Sequence, residues 1–419
     1  MSADSDCGCD SISHGHKLVP YEEALERLLD QAAVVTGVEQ RPLNSCLGRV
    51  LAEDVVSAIN VPPADNSAMD GYAVRVDDIN TSGETVLGIS QRIPAGATGT
   101  TLKAGTAARI FTGAPIPEQA DAVIMQEHVA VEGEQIRFSV SVSPGMNIRS
   151  AGEDIKTGQV IIRAGTRLRA QELGLAASIG CSHLSVHRKV CVATFFTGDE
   201  LVEPGKPLGP GQIYDSNRYT LNGLLNSMGC DIVDLGVVGD TLEETRQAIT
   251  RASEKADLVL TSGGVSVGEE DHVKIALEQL GELNMWRLNI KPGKPLALGQ
   301  VNNTSFIGLP GNPVSAFATF CLFVSPFIRK MQGRAQVLPG QLTAIASFDW
   351  PKPGKRREFA RARLVTSAGQ EPEVEIYSHQ GSGVLMSTSW ADGLVIIYEN
   401  QVINKGDRVS YIPFNEMMG

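Results

Sequence analysis

The chain has 419 residues, of which 42% are hydrophobic and 20% charged, with a formal net charge of −12. This length exceeds what one hydrophobic core serves, so we expect two to four globular domains. The acidic balance argues against a nucleic-acid partner, because such affinity comes from accumulated Lys and Arg. No apolar run reaches the roughly 20 residues that span a membrane, and the polar amino terminus has no secretory signal.

The cysteines and the amino terminus indicate a cytoplasmic protein. Seven cysteines are scattered, odd in number and mostly within apolar segments, which favours reduced thiols. The first 18 residues contain Cys7, Cys9, His14 and His16 without periodicity, and we expect a disordered tail. Metal binding by these four side chains is the alternative, although their spacing matches none of the usual zinc patterns.

The N-terminal half predicts a β-rich domain inserted into a helical one. An apolar stripe after Pro20 predicts a helix that ends before Gly37, and another helix is expected over 170–179. Between them, short alternating segments such as "TVLGI", "AARIF" and "DAVIM" predict strands. We therefore assign 19–57 and 152–187 to a helical linking domain and 58–151 to the inserted β-rich domain.

The C-terminal half predicts an α/β domain over 188–335 and a small β-barrel over 336–419. Strand and helix patterns alternate from "KVCVATFF" through "TLEETRQAITRASEKA", where Thr241 and Glu244 form a capping box, to "DLVLTSGG". This order predicts a parallel sheet covered by helices. The last segments, such as "LTAIASFDW" and "LVIIY", predict short strands with no helix.

A glycine-rich loop, "TSGGVSVGEEDH", follows a buried strand and precedes a helix at residues 261–272. Backbone amides around Gly263, Gly264 and Ser266, with the positive end of the helix dipole, favour a phosphate. The loop matches neither the Walker nor the dinucleotide pattern. An ordinary tight turn is therefore the alternative.

Three acidic residues follow strands of the same predicted sheet. Asp240 and Asp271 each end a strand or its loop, and Glu200 follows the first strand. Open α/β sheets bind ligands at this carboxyl edge. Asp240 and Asp271 beside a bound phosphate suit Mg²⁺, whereas helix capping or a solvated turn is the alternative for each residue alone.

Two proline-stiffened loops complete the edge. In "KPGKP", Lys291 and Lys294 flank a short turn that ends at Pro295, which suits a doubly charged oxyanion; two solvated lysines are the alternative. In "GLPGNPVS", the loop from Pro310 leads into a helix at Pro313. Ser315 is therefore expected to face the same carboxyl edge of the sheet. No side chain shows the surroundings of an activated nucleophile.

Nine motifs together resemble one family, the molybdopterin molybdenumtransferases of molybdenum-cofactor biosynthesis, which include the carboxy-terminal domain of gephyrin. The motifs, in the family's order, are "DNSAMDGYAV" (65–74), "TGAP" (112–115), "GEDI" (152–155), "TGDEL" (197–201), "GQIYDSN" (211–217), "TSGGVSVGEED" (261–271), "KPGKP" (291–295), "GLPGNPVS" (308–315) and "HQGS" (379–382). The resemblance runs from about residue 20 to the carboxyl terminus. Ala64 departs from the bulkier residue expected there.

The resemblance implies a homodimer of four-domain subunits with an elongated β-rich domain that reaches across the dimer. It implies molybdenum insertion from molybdate into adenylylated molybdopterin, with Mg²⁺, release of AMP and formation of molybdenum cofactor. It also implies a site that takes residues from several parts of the chain. Asp240, Asp271 and Ser266 would serve the adenylyl phosphate and magnesium; Lys291, Lys294, Ser315, Arg361 and Ser382 would hold molybdate; Asp65, Thr112, Asp154 and Glu200 match acidic or hydroxyl positions that the family uses.

The roles of the two aspartates in "DNSAMDGYAV" are predicted to differ. Asp65 is expected to serve the active site of the partner subunit, and Asp70 to cap the turn before Gly71. Two other functions remain open. One is a molybdopterin adenylyltransferase, for which the domain at 188–334 would suffice, and the other is a dimeric scaffold. A separate molybdopterin adenylyltransferase is also an expected partner. The sequence does not distinguish molybdenum from tungsten.

Overall fold

The structure, a computed structural model, describes residues 18–265, 272–369 and 371–419. The expected tail with Cys7, Cys9, His14 and His16 lies outside these residues, as do Ser266 and Asp271. The predicted fold class, an α/β domain with β-rich domains and a C-terminal barrel, is confirmed. The predicted domain boundaries remain predictions.

Short strands dominate the first part of the chain. Its helices are α1 (Tyr21–Asp30) and α2 (Ala170–Ser178). Its strands are β1 (Val38–Pro42), β2 (Val55–Val56), β3 (Asn66–Ser67), β4 (Gly71–Val74), β5 (Thr85–Ile93), β6 (Thr106–Ile110), β7 (Ala122–Met125), β8 (Ala130–Glu132), β9 (Gln135–Phe138), β10 (Ile148–Arg149), β11 (Val160–Ile162) and β12 (His183–His187). Six of them form one sheet in the order β7-β4-β6-β5-β9-β8.

The other strands of the first part form three two-stranded sheets. β10 pairs with β3, β11 with β2, and β1 with β12, all antiparallel. α1 begins one residue later than expected, because Pro20 has an extended ψ of 152° and is the N-cap. The helix is amphipathic, and Ala24, Leu25 and Leu28 are its buried residues.

The middle part is an α/β domain. Its strands are β13 (Cys191–Thr197), β14 (Leu201–Val202), β15 (Ile213–Tyr214), β16 (Asp231–Val238), β17 (Leu258–Ser262), β18 (Glu282–Arg287), β19 (Ile290–Lys291), β20 (Pro295–Val301) and β21 (Thr304–Leu309). Its helices are α3 (Ser216–Ser227), α4 (Leu242–Ser253), α5 (His272–Leu280), α6 (Pro313–Thr319) and α7 (Ser325–Met331).

The main sheet of this domain has the strand order β16-β13-β17-β21-β20-β18. The first four strands are parallel, as predicted, whereas β20 and β18 add an antiparallel extension that the sequence reading did not include. Helices cover both faces: α4 and α5 pack on one core, and α1, α3, α6 and α7 on the other. The predicted capping box is half formed, since Thr241 Oγ1 accepts the Glu244 N–H while the Thr241 N–H bonds Gly239 O.

α6, a π-helical turn (Phe320–Val324) and α7 form one continuous helix. Over Pro313–Met331 this helix has the length and apolar composition of a membrane span, but 94% of that window is buried inside the protein. Its surroundings are those of a core helix in a globular protein.

The last part contains the strands β22 (Leu342–Ala346), β23 (Arg357–Val365), β24 (Glu373–Ile376), β25 (Gly393–Ile397) and β26 (Arg408–Pro413). They close into a five-stranded barrel, because β23 pairs with both β24 and β25. The expectation of no helix is wrong: α8 (Met386–Trp390) and α9 (Phe414–Met418) are present. Both are only five residues long, too short to show an apolar period in the sequence.

Candidate active site

The carboxyl edge of the main sheet collects predicted residues from four neighbouring strands. Asp240 follows β16, Glu200 follows β13, Gly263 follows β17, and Pro310 follows β21. Because β20 runs antiparallel to β21, its first residue, Pro295, comes to the same edge. The predicted phosphate-binding loop, the carboxylates and the lysine loop, which are far apart in the sequence, therefore lie along the same edge of the sheet.

The first half of the glycine-rich loop is shaped by close packing. Gly263 has a φ of +96° and Gly264 a φ of +63°. A Cβ on Gly263 would lie 2.8 Å from Thr197 O, and one on Gly264 would lie 2.6 Å from Val273 Cγ2. These positions therefore require glycine for both conformation and space. The rest of the loop, with Ser266 and Asp271, lies outside the described residues.

Glu200 folds back over the end of its own strand. A Cβ on Gly198 would approach the Glu200 carboxylate to 2.6 Å, and Gly198 has a φ of +151°. The Glu200 main-chain oxygen accepts the Ile213 N–H at 2.8 Å, which joins β14 to β15. The carboxylate therefore lies beside Gly198, at the carboxyl edge of the sheet.

An unpredicted side chain, Asn217 on the first turn of α3, joins two of the edge loops. Its Nδ2 donates to Ser262 Oγ at 2.9 Å and to Gly311 O at 2.7 Å. Ser262 Oγ donates in turn to Pro310 O at 2.8 Å. Asp215 begins the helix by accepting the N–H of Arg218 at 3.1 Å. "GQIYDSN" was part of the resemblance, but no period or spacing indicated this hydrogen-bond set.

The two predicted lysines differ in their surroundings. Lys291 Nζ lies 3.2 Å from Glu358 Oε2, because β19 pairs with β23 of the barrel. Lys294 makes no ion pair with any residue in the described ranges. Between them, Gly293 has a φ of +98° and packs against Thr319 Oγ1 of α6. The lysine loop is therefore seated on the helix that carries Ser315.

Arg361 acts on the barrel side of the same junction. The residue is 1% exposed, and its guanidinium donates to Ser387 Oγ at 3.0 Å, Gly381 O at 3.2 Å and His379 O at 3.4 Å. Burial lowers its pKa to about 10, opposed by the nearby Glu358 carboxylate. Arg361 thus shapes the "HQGS" loop.

That loop contacts the start of α6. Ser382 O accepts the Val314 N–H at 3.0 Å, immediately after Pro313 and before the buried Ser315. The structure therefore brings together the predicted molybdate residues Lys291, Ser315, Arg361 and Ser382, with Lys294 in the adjoining loop.

A second cluster contains the remaining predicted residues, Asp65, Thr112 and Asp154. Asp65 Oδ1 accepts the Ala151 N–H at 2.8 Å, and Asp154 N donates to Val61 O at 3.0 Å. The hydrogen bonds of all three predicted residues stay within residues 61–155. "DNSAMDGYAV", "TGAP" and "GEDI" are thus parts of one cluster, distinct from the sheet edge.

Asp70 holds Thr112 rather than its own turn, in contrast to the predicted local cap. Its Oδ1 accepts the N–H and the hydroxyl of Thr112, each at 2.8 Å. These bonds hold the pKa of the Asp70 carboxyl below its ordinary value. Gly71 is required by packing, because a Cβ there would lie 2.0 Å from Ile124 O.

Asp240 and Glu200 at the sheet edge carry carboxylates, the ligand type that Mg²⁺ prefers. Asp240 provides one carboxylate there, and the second predicted ligand, Asp271, lies outside the described residues. Across 18–265, 272–369 and 371–419, no group of three His, Cys, Asp or Glu side chains could hold a metal ion. Mg²⁺ usually takes one or two carboxylates with phosphate oxygens and water, so a closed protein cage is not needed.

Comparison with known families matches most of the chain in three parts. Residues 19–180 match the MoeA N-terminal region (domain I and II), 193–330 a probable molybdopterin binding domain, and 343–414 the MoeA C-terminal region (domain IV). The match to domain I and II covers the second cluster, and the other two cover the sheet edge and Arg361.

Individual proteins match over nearly their whole length. The molybdopterin molybdenumtransferase of Haemophilus influenzae is 41% identical over 406 residues, or 96% of this chain and 100% of the relative. That of Nostoc sp. is 36% identical over 84% of this chain and 82% of the relative. A solved molybdopterin biosynthesis moeA protein from Pyrococcus horikoshii OT3 has a TM-score of 0.82 at 33% identity, covering 95% of this chain and 100% of that one. The chain therefore belongs to the molybdopterin molybdenumtransferase family, the enzymes of molybdenum insertion in molybdenum-cofactor biosynthesis.

Proposed function

We propose that the chain transfers molybdenum from molybdate into adenylylated molybdopterin, releasing AMP and forming molybdenum cofactor. The observation that carries this proposal is the meeting of three motifs at one sheet edge. Gly263 and Gly264 begin the phosphate loop, Asp240 and Glu200 supply carboxylates, and the lysine loop adjoins them. A phosphate-linked substrate and a doubly charged oxyanion can therefore bind side by side.

In this reaction the anhydride bond between the pterin phosphate and the adenylyl group breaks, and water supplies the oxygen that AMP or the pterin phosphate gains. Molybdenum gains the two dithiolene sulfurs as ligands, and each oxide ligand that it loses leaves as water with two protons, which the dithiol groups and solvent supply. Both changes require positioned charge rather than a protein nucleophile. When bound, Mg²⁺ neutralises the phosphate charge.

The lysines and the barrel define the second half of the site. Lys294, which makes no ion pair within the described residues, supplies a cation for molybdate, while the Glu358 carboxylate fixes Lys291. Arg361 holds the loop that carries Ser382 against α6. An ammonium group binds as a point charge without fixed geometry. The loops therefore have to provide a binding surface that matches the shape of molybdate.

We further propose a cytoplasmic homodimer in which Asp65, Thr112 and Asp154 of one subunit complete the sheet-edge site of the other. The separate hydrogen bonding of the second cluster supports this arrangement. Cys46, Cys181, Cys191, Cys230 and Cys321 are free thiols, which supports a reducing compartment. A molybdopterin adenylyltransferase is the expected source of the substrate.

The adenylyltransferase alternative predicts the opposite nucleotide change. We expect purified protein to release AMP from adenylylated molybdopterin when molybdate and Mg²⁺ are both present, and not when molybdate is omitted. Consumption of ATP with free molybdopterin would overturn the proposal. A protein that is dimeric but does neither would be a scaffold.

A further inference from the structure

Three arginines lie near one another, away from the lysine loop. Arg329 lies on α7, Arg334 follows it, and Arg167 precedes α2. Arg329 is 5% exposed and Arg334 8% exposed. Arg329 follows Ser315 by fourteen positions on the continuous helix, or roughly 20 Å along its axis. This arginine cluster is therefore remote from the lysine loop.

Some N–H groups of the arginine cluster donate hydrogen bonds to the C-terminal segment. Arg334 Nη1 donates to Gly419 O at 3.0 Å, and its Nε to Gln332 Oε1 at 2.7 Å. Arg329 Nη2 donates to Glu416 O and, at 3.4 Å, to Gly419 O. The main-chain oxygens of Glu416 and Gly419, after β26, therefore accept hydrogen bonds from the arginine cluster.

Three further donors have no protein partner. Arg167 Nε, Arg329 Nε and Arg334 Nη2 are buried and make no hydrogen bond to any described residue. Buried N–H groups of charged side chains are nearly always paired, because an unpaired one loses its hydration without compensation. These three donors are therefore available to an anion that binds at the cluster.

The positive charge of the arginine cluster is only partly offset by acidic groups. Burial, followed by repulsion from Arg167 and Arg329, lowers the pKa of Arg334 to about 9, and burial likewise lowers the pKa of Arg329. No Asp or Glu side chain in the described residues forms an ion pair with any of the three. The Glu416 carboxylate attracts Arg329 without an ion-pair contact, and it accepts the Gly340 N–H at 3.3 Å.

We propose that Arg167, Arg329 and Arg334 form an anion site for a carboxylate or a small inorganic oxyanion, separate from the active site. The anion has two possible sources: a carboxylate carried by the main chain at Gly419, or a free oxyanion from solution. Either one would accept the three unpaired donors and join the segment before α2, helix α7 and the C-terminal segment. Ser325 Oγ, which donates to Met417 O, strengthens the same junction.

The test uses the whole chain, ending at Gly419, in a buffer free of phosphate and sulfate. Thermal midpoints are measured against low millimolar sulfate, with chloride at equal ionic strength as the reference. The variants are Arg334→Met and, as a matched control, Arg251→Met, since Arg251 is exposed on α4. A second chain carries Gly-Ser-Gly after Gly419.

Two outcomes support the site and identify the anion. If the source is free, sulfate raises the midpoint of the unchanged chain and of Arg251→Met by about 2 °C or more, and Arg334→Met does not respond. If the source is the main-chain carboxylate, sulfate has no effect on the unchanged chain, whereas the extension lowers the midpoint by a similar amount and creates a sulfate response.

The proposal is overturned if neither sulfate nor the extension shifts the midpoint, or if sulfate raises the midpoint of Arg251→Met and raises that of Arg334→Met equally. Should Arg334→Met fail to fold, Arg334→Lys replaces it. That variant keeps the charge and loses the donors of the guanidinium fork, so its response must be weaker than that of Arg251→Met.

Discussion

Asp70 fixes the position of Thr112 through two hydrogen bonds to one carboxylate oxygen. Both bonds favour the ionised carboxylate, so the pKa of Asp70 lies below its ordinary value of 3.8. The stabilisation is therefore complete above that value and is lost only as the pH falls through the lowered pKa of the folded protein. At neutral pH, Asp70 acts as a permanent anchor for a predicted active-site hydroxyl.

Replacing Asp70 tests this anchor. In Asp70→Ala the Thr112 hydroxyl loses its acceptor, and we expect kcat for AMP release to fall roughly 10-fold to 100-fold through misplacement. Asp70→Asn retains an acceptor oxygen and should keep most of the activity. The Asp70→Ala deficit should be constant across neutral and alkaline pH. Equal activities for the two variants would show that the bonds do not position Thr112.

Single residues were predictable where a strand end determines their place. Asp240 and Glu200 follow apolar strands, and the parallel order sends both to one edge. Asn217 was not predictable, because its partners lie on two other loops and a side-chain hydrogen bond leaves no periodic pattern. The same reason hides Glu358, which holds Lys291 only because β19 pairs with the barrel.

Among the elements, the antiparallel extension of the main sheet had a sequence signal that the strand-helix pattern obscured. Asn302 and Asn303, between β20 and β21, have φ angles of +50° and +67°. Two consecutive left-handed residues between strands are typical of a tight hairpin, and Asn tolerates that conformation. "VNNT" is thus a hairpin signal that our sequence analysis did not use, and the antiparallel turn back is why Pro295 lies at the active edge.

The lysine loop depends on Gly293. A Cβ there would lie 2.7 Å from Thr319 Oγ1, so Gly293→Ala adds a steric clash to the strain of its +98° φ. Gly133 is the matched control, with a φ of +61° and open space around its Cβ position. We expect Gly133→Ala to cost about 1–2 kcal/mol in the free energy of unfolding, and Gly293→Ala about 1–3 kcal/mol more.

Activity separates the two glycine variants further. Gly293→Ala displaces Lys291 and Lys294 and should raise the KM for molybdate, whereas Gly133→Ala, at the turn between β8 and β9, should leave it unchanged. Urea unfolding and initial rates of AMP release measure both effects. An unchanged KM for molybdate in Gly293→Ala would contradict the placement of the oxyanion at this loop.

Helix α3 positions two edge loops through Asn217. Removing this side chain in Asn217→Ala eliminates two hydrogen bonds worth about 1 kcal/mol each. We expect kcat/KM for adenylylated molybdopterin to fall roughly 5-fold to 30-fold, mainly through KM. Asn222→Ala is the control, because Asn222 lies on the same helix but bonds Asp234 and Thr194. Equal losses in the two variants would indicate general destabilisation of α3.

At the scale of the whole molecule, one core joins regions that the sequence separates. Leu28 of α1, Phe323 of the continuous helix, and Phe359 and Leu394 of the barrel belong to the same buried cluster. Composition and texture predicted several domains correctly as fold types. They did not predict this shared core, because contacts between distant segments have no local pattern.

The central claim is that the second cluster and the sheet edge serve one reaction across a homodimer. Asp65→Ala and Asp240→Ala subunits, each inactive alone, are to be mixed, exchanged and assayed for molybdate-dependent AMP release. If the site is shared, a mixed dimer contains one intact site, and activity should recover to at most about half of the unchanged protein per mixed dimer. Absence of recovery in dimers that have demonstrably exchanged subunits would contradict the claim.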